Sequence, residues 1–425
     1  MTFARLWYLS AGVLCAGCAA PAAHLPGQLR GELTQVEVDS LTRARDFFAL
    51  RDRLRHTEPT PVQSYALALL AQALNQPAAS NRYIAAALST GLLTDSARFR
   101  LREQMLVNHL RLGAYREGAA LADSRTRAPQ PAATEKSVAD VANVGRILHA
   151  LIGAPPQQVI RRGAIRIPFR QGRIPVELNG QSRNYIFDTG ANLSTIMHSE
   201  ALALGLDIRP AGIRVGTSTD VMVTADIGVA RQLTIGDMEF GNVVFLVMPD
   251  SLLTFGDVRI DGIIGFPVIA EMGEVRLRPA GELEVPAQVP ARTQGNLVLS
   301  GLTPLSVVRW RQHRLLCRID TGANTTDFYL PFYQRFAAVL DAEGTRADRR
   351  VGGAGGVRTL PAVQLSNVAL EVGDTTAQLA RVDVLTRTIV EAGAQDYLDC
   401  NVGQDVFSQF TEYVFNFRDM SFLLQ

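Results

Sequence analysis

The chain has 425 residues, 47% of them hydrophobic and 20% charged, with a formal net charge of +1 at pH 7. That length exceeds what one hydrophobic core ordinarily supports, so two or three packed units are expected, and the apolar content excludes a chain disordered throughout. So small a net charge supplies no broad field for a polyanion, and no nucleic acid is expected as a partner.

The first eighteen residues read as an export signal. Arg5 supplies positive charge, Leu6 to Leu14 form a short apolar run, and small residues follow up to Cys18. The run is too short to span a bilayer, and no other segment is long and apolar enough to do so. The stretch Leu14-Cys15-Ala16-Gly17-Cys18 resembles the bacterial lipoprotein signal, with Cys15 where a leucine is usual. The resemblance implies that Cys18 carries lipid. With Ala19 rather than Asp next, it also implies an anchor on the periplasmic face of a bacterial membrane, the outer one. A plain secretory signal cleaved nearby is the alternative. Residues 19–31 have little periodicity and read as a tether.

Residues 32–153 form the helical part. Ala, Leu and Arg dominate, and Val62 to Leu74 and Arg98 to Leu112 space apolar residues three and four apart, the period of a helix with one buried face. Leu112-Gly113-Ala114-Tyr115 resembles the middle of a tetratricopeptide-type helix pair, in which Gly ends one helix and Tyr packs between the two. An ordinary helical bundle is the alternative, and either serves as a docking surface for a protein partner or as a spacer. A further amphipathic helix is predicted over Val138 to Leu151.

Beyond Pro155 the texture changes to short alternating runs bounded by Gly, Asn and Pro, which is how an all-β region reads. It contains a duplication. In the first copy Ile174 to Leu178, the turn Asn179-Gly180 and Tyr185 to Phe187 lead into Asp188-Thr189-Gly190-Ala191-Asn192. In the second, Val307 to Trp310, a turn near Gln312-His313 and Leu315 to Ile319 lead into Asp320-Thr321-Gly322-Ala323-Asn324. Seventy-seven residues after Asp188 an apolar run closes on Gly265, and eighty-three after Asp320 another closes on Gly403. Each is followed by a helix-like turn and a closing strand. The predicted divisions are therefore a first lobe over 160–280, an inter-lobe linker over 281–302 and a second lobe over 303–425. The fold class is α+β and multidomain, helices first and two β lobes after.

A lone Asp-Thr-Gly is weak evidence, since Asp and Gly are ordinary turn residues. Here both triplets follow strands that would be buried, and a buried carboxylate without a partner is costly. No Lys or Arg is tied to both turns; Arg318, shortly before Asp320, has no basic counterpart in the first copy. Facing each other, the two carboxylates solve the problem by sharing one proton, which leaves an acid and a base in one site. Asp188 and Asp320 are thus the candidate catalytic pair. Thr189 and Thr321 would bond the opposite lobe's backbone. Gly190 and Gly322 would let backbone approach the carboxylates and donate N–H groups, and Gly265 and Gly403 would allow tight strand crossings behind the turns.

The paired Asp-Thr-Gly-Ala-Asn turns, each with its later apolar-apolar-Gly, resemble the aspartic peptidase superfamily. Ala191 and Ala323 after the triplets are closer to retropepsins than to pepsins. The resemblance covers about residues 160–425. It implies two small closed β lobes and an extended polypeptide substrate held between them under flap hairpins, with hydrolysis by water that needs no metal and no cofactor. Gly216 and Thr217 in the first lobe, and Gly353 and Gly355 in the second, are the flap candidates; simple surface hairpins are the alternative. Neither candidate carries the flap tyrosine of pepsins, and neither later glycine is followed by the Arg usual in retroviral enzymes.

Export would put Cys317 and Cys400 in an oxidising compartment, either as a disulfide or as two buried reduced thiols. The six histidines show no metal-ligand spacing, and there is no Gly-x-Ser-x-Gly elbow. The expected activity is that of an aspartic endopeptidase, monomeric because both aspartates lie on one chain, with an acid or mildly acidic optimum. A non-catalytic binding lipoprotein that keeps the fold is the rival, and lobes pairing between chains a third possibility.

Overall fold

Local signals in the chain account for where its helices start. The structure, a computed structural model, describes residues 32–55, 61–127, 135–216, 222–255, 258–292, 295–353, 356–387 and 397–425. The signal, the tether and Cys18 lie outside them, as do Thr217 and Gly355. Among the described residues the helices are α1 (Gln35–Arg43), α2 (Phe47–Leu54), α3 (Pro61–Ala73), α4 (Pro77–Ser89), α5 (Asp95–Arg111), α6 (Tyr115–Arg127) and α7 (Glu135–Ala150), with shorter ones farther on. Side chains of Thr34, Asp46 and Thr94 accept the N–H groups of Glu37, Ala49 and Ala97, which would otherwise be orphaned at the starts of α1, α2 and α5. Gly113 follows α5 at φ +68, a conformation that favours glycine, and an added Cβ would strike the Pro156 side chain at 2.2 Å. The α5–α6 turn is thereby pressed onto the segment that enters the β region. Tyr115 beside it is buried.

The helices share their cores with the lobes. Val38, Phe47, Leu50, Tyr65 and Ile84 pack in one cluster with Val298, Leu305, Leu360, Leu385 and Leu398 of the second lobe. Phe99, Tyr115, Val141, Leu148 and Leu151 join the core that runs through the first. Polar clasps reinforce both contacts. Gln72 donates to Gly301 O at 2.6 Å, Asn75 to Phe417 O at 2.8 Å, and Arg314 pairs with Asp46. On the first lobe the Asn143 amide accepts from Arg214 N at 2.8 Å and donates to Arg214 O at 2.7 Å, acting as a one-residue strand partner.

Each lobe is built on an eight-stranded sheet that bends back on itself. In the first, Met222–Ile235 pairs with Asp207–Gly216, with Met238–Met248 and with Arg173–Leu178. In the second, Thr303–Trp310 pairs with Leu297–Ser300, with His313–Ile319 and with Gly356–Val372. Alternating burial along Arg173–Leu178 puts Ile174, Val176 and Leu178 inward, as the pleat requires. The predicted turns are tight ones with positive φ at both central residues, Asn179 and Gly180 in one copy, Arg311 and Gln312 in the other.

A third sheet joins the lobes. Its strands run Ile165–Pro168, Glu282–Val285, Glu274–Arg278, Tyr413–Asn416 and Ser421–Leu424 in spatial order, and Val275 lies opposite Phe415 across the junction. The segment 281–302, expected to be a plain linker, contributes two strands: Glu282–Val285 to this sheet and Leu297–Ser300 to the second lobe. Both are only four residues long and flank the Pro286 to Pro290 stretch, whose prolines dominate the sequence pattern. At the junction Glu274 is fully buried but accepts from Arg276, Arg292 and Asn416, each at 2.9 Å. Burial alone would raise its pKa, and these donors outweigh that and hold it below the usual carboxylate range.

Candidate active site

In both lobes the aspartate is delivered by the end of a core strand held from behind by a second, parallel strand. Gln181–Phe187 runs beside Gly262–Ile264, with Ile186 opposite Ile263 and Phe187 opposite Ile264. His313–Ile319 runs beside Cys400–Val402, with Cys317 opposite Cys400, Arg318 opposite Asn401 and Ile319 opposite Val402. The crossing strand also receives the aspartate's own N–H: Asp188 N bonds Ile264 O and Asp320 N bonds Val402 O, each at 3.0 Å.

The glycines have measurable reasons. An added Cβ on Gly265 would lie 2.5 Å from the Leu193 carbonyl carbon, and one on Gly403 would lie 2.8 Å from Ala323 O, both backbone atoms that cannot step aside. An added Cβ on Gly190 would meet Asp320 Cγ at 2.6 Å, and one on Gly322 would meet Asp188 Cγ at 2.4 Å. Each turn therefore abuts the opposite lobe's carboxyl. Gly190 N donates to Asp188 Oδ1 at 2.7 Å, and Gly322 N to Asp320 Oδ1 at 3.0 Å.

The threonines interlock. Thr189 Oγ1 donates to Ile319 O and Thr321 Oγ1 to Phe187 O, both at 2.8 Å. Each hydroxyl also accepts the other threonine's N–H, at 3.0 and 3.1 Å. Four buried bonds thus join the turns, and the donors and acceptors at the lobe boundary are paired within the protein. Asn192 of the first turn accepts from Thr303 Oγ1 of the second lobe at 3.0 Å, a further link across the boundary.

The two carboxyls adjoin at the lobe boundary, each lying against the other turn's glycine. Loss of water around Asp188 pushes its pKa up, and the charge of Asp320 pushes it further. The Gly190 N–H and the Arg318 guanidinium pull the other way without cancelling it. Around Asp320 the surroundings differ. Arg318 Nη2 stands 2.9 Å from Asp320 Oδ2, Asn401 Nδ2 donates to the same oxygen at 3.1 Å, and Arg318 Nε donates to Asn401 Oδ1 at 2.6 Å. Arg318, left without a task by the sequence, is thus the counter-ion of one member of the pair. Overlaying the copies residue by residue would have exposed it, since Arg318 and Asn401 stand where the first copy has Ile186 and Ile263. The same overlay finds Ser194 and Thr326, each six residues past its aspartate, whose hydroxyls accept the N–H groups of Gly265 and Gly403.

Cys317 and Cys400 are disulfide-bonded, on the register pair adjoining Arg318 and Asn401. Gly216 ends the hairpin of Asp207–Gly216 and Met222–Ile235, opposite Met222, and Gly353 faces Gly356 at the end of the other candidate hairpin. Among the described residues no cluster of His, Cys, Asp and Glu is arranged to hold a metal ion.

Residues 174–268 match the family model described as aspartyl protease. Among solved structures the chain is similar to a retropepsin-like aspartic protease from Rickettsia conorii, at 18% identity and a TM-score of 0.21, covering 30% of this chain and 92% of that one. No curated protein matches. The family match lies on the first turn and its crossing glycine, and the second turn repeats both in sequence, so the β region is similar to aspartyl proteases over the first lobe and a function of the aspartic protease type is supported.

Proposed function

We propose that the chain is an aspartic endopeptidase that hydrolyses extended polypeptide with the Asp188–Asp320 pair. One observation carries this: two carboxyls from repeated turns each lie against the other turn's glycine, with the backbone of both turns interlocked around them. Like charges so close do not both ionise, so the pair holds one proton over a broad pH range. The ionised member takes a proton from a bound water as that water attacks the peptide carbonyl, and the protonated member donates to the carbonyl oxygen. No covalent intermediate forms. The hairpins ending at Gly216 and Gly353 are suited to close over the substrate, whose extended backbone would pair with their edges.

The enzyme works outside the cytoplasm at a bacterial membrane, with Cys18 as the lipid-bearing residue. The Cys317–Cys400 disulfide supports an oxidising compartment. One copy suffices, since both aspartates come from one chain.

A soluble form beginning after Cys18, incubated with a diverse peptide mixture, tests the proposal. Internal cleavage that a statine-type transition-state mimic suppresses is the expected result. Binding of peptides without any cleavage across pH 3 to 8 would instead favour a non-catalytic binding protein.

A further inference from the structure

We propose that Arg318 and Asn401 decide which carboxyl of the pair carries the charge, making Asp320 the general base and Asp188 the acid that holds the proton, with Arg318 as the positioning residue. The assignment rests on the peptidase function proposed above.

The comparison of the two halves carries it. Backbone and turn are repeated almost bond for bond: both glycine N–H groups, both threonine hydroxyls and both crossing carbonyls are used alike. The departure lies two residues upstream of the aspartate. Successive residues of a strand alternate faces, so the side chain at that position shares a face with the aspartate. In the first lobe the position and its cross-strand neighbour are Ile186 and Ile263, and neither can reach a carboxylate with a donor. In the second they are Arg318 and Asn401, bonded to each other and both placing an N–H on Asp320 Oδ2. Oδ1 takes the Gly322 N–H. Asp320 thus has three donors, one of them a permanent cation, whereas Asp188 has the Gly190 N–H and the neighbouring carboxyl. A carboxylate stabilised by an arginine and two neutral donors keeps its charge, and the remaining proton resides on its partner.

The other charged and titratable groups around Arg318 do not replace Asp320 as its anion. The Tyr329 and Tyr397 phenols face it, and Arg45 of the helical part sits over the Tyr397 ring. The Cys317–Cys400 bond, one register step away, holds the two strands at the alignment that sets Arg318 against Asn401.

The reaction then has a direction. Asp320 removes a proton from water as its oxygen bonds the carbonyl carbon, and Asp188 gives its proton to the carbonyl oxygen, forming a gem-diol. The proton on Asp320 passes to the peptide nitrogen as the C–N bond breaks, and Asp188 recovers its proton from a diol hydroxyl. Water and peptide are consumed; a carboxylic acid and an amine are released.

Infrared difference titration of the [13C]Asp-labelled protein, with and without Asp320→Asn, isolates uptake of the second proton on the acid side without any substrate. In the wild type Asp320→Asn removes that step. In Arg318→Met the step moves to higher pH by roughly one to three units, the range an adjacent arginine imposes on a carboxylate. Arg318→Lys, which keeps the charge and serves if the methionine variant does not fold, shifts it less. The acid limb of kcat/KM moves by the same amount, which a merely structural role for Arg318 would not produce. A step that stays put in both variants, or that Asp188→Asn removes and Asp320→Asn does not, overturns the assignment. The shifts seen in infrared with no hydrolysis by the wild type would uphold the charge assignment and sink the peptidase function.

Discussion

Asp188 accepts one backbone N–H and faces a second carboxyl, whereas Asp320 is braced by Gly322, Asn401 and Arg318. The raised pKa of Asp188 comes first from loss of water, then from the negative neighbour. A carboxyl that holds its proton to higher pH folded than unfolded makes the folded form bind more protons, so stability declines as pH rises from the ordinary carboxylate range through the raised value. Asp188→Asn has no such slope and keeps an amide donor toward Asp320. Its melting temperature relative to wild type therefore climbs between pH 5 and 8 while hydrolysis is lost, and parallel melting curves against pH would contradict this. On the same grounds activity falls on the alkaline side only where Asp188 gives up its proton, well above an ordinary carboxylate. A plateau extending upward from acid pH is therefore the expected activity profile, read from kcat/KM against pH. The aspartates, threonines and glycines were legible because each turn repeats them in order. Arg318 stood out only as a departure between the copies, and its task was not legible because Asn401, its partner, is set beside it by strand pairing across more than eighty residues.

At the scale of elements, the second lobe relies on a covalent tie where the first relies on packing. Tyr185 lies against Gly262 in the first lobe, and the matching pair in the second is the disulfide of Cys317 and Cys400. It closes a loop of 83 residues, and cross-links over loops of this size contribute roughly 2–5 kcal/mol. Reduction, or the double substitution Cys317→Ser with Cys400→Ser, is expected to lower urea stability by that order and to loosen the Arg318–Asn401 alignment, seen as reduced turnover. An unchanged urea midpoint would mean the strands need no tie. The hairpins were readable from alternation and turn residues, but Glu282–Val285 and Leu297–Ser300 were not. Four-residue strands carry too few alternations to stand out; Glu282–Val285 is fixed by pairing with Ile165–Pro168, far off in sequence, and Leu297–Ser300 by a tight hairpin with Thr303–Ser306.

For the whole molecule, the helices are the part whose role the sequence least revealed. Their period was plain; their partner was not, because an apolar helix face says that it is buried but not against what. They close over apolar faces of both lobes, and the Asn143 clasp on Arg214 lies two residues from Gly216 in a candidate flap hairpin. Residues 154–425 expressed alone would expose Val298, Leu305, Leu360 and Leu398 together. That fragment is expected to aggregate or unfold without cooperativity, whereas residues 32–425 unfold as one unit by calorimetry. A soluble, cooperative fragment with full activity would show that the helices are dispensable to the lobes.

The most direct test concerns the shared proton itself. Turnover of one cleaved peptide by the soluble chain should be compared with Asp188→Asn and Asp320→Asn, each shown folded by its melting curve. Each single change is expected to reduce kcat by at least roughly 10²–10⁴-fold, since either removes half of an acid and base pair. Near wild-type turnover in either variant would contradict the account, because it would mean that one carboxyl suffices.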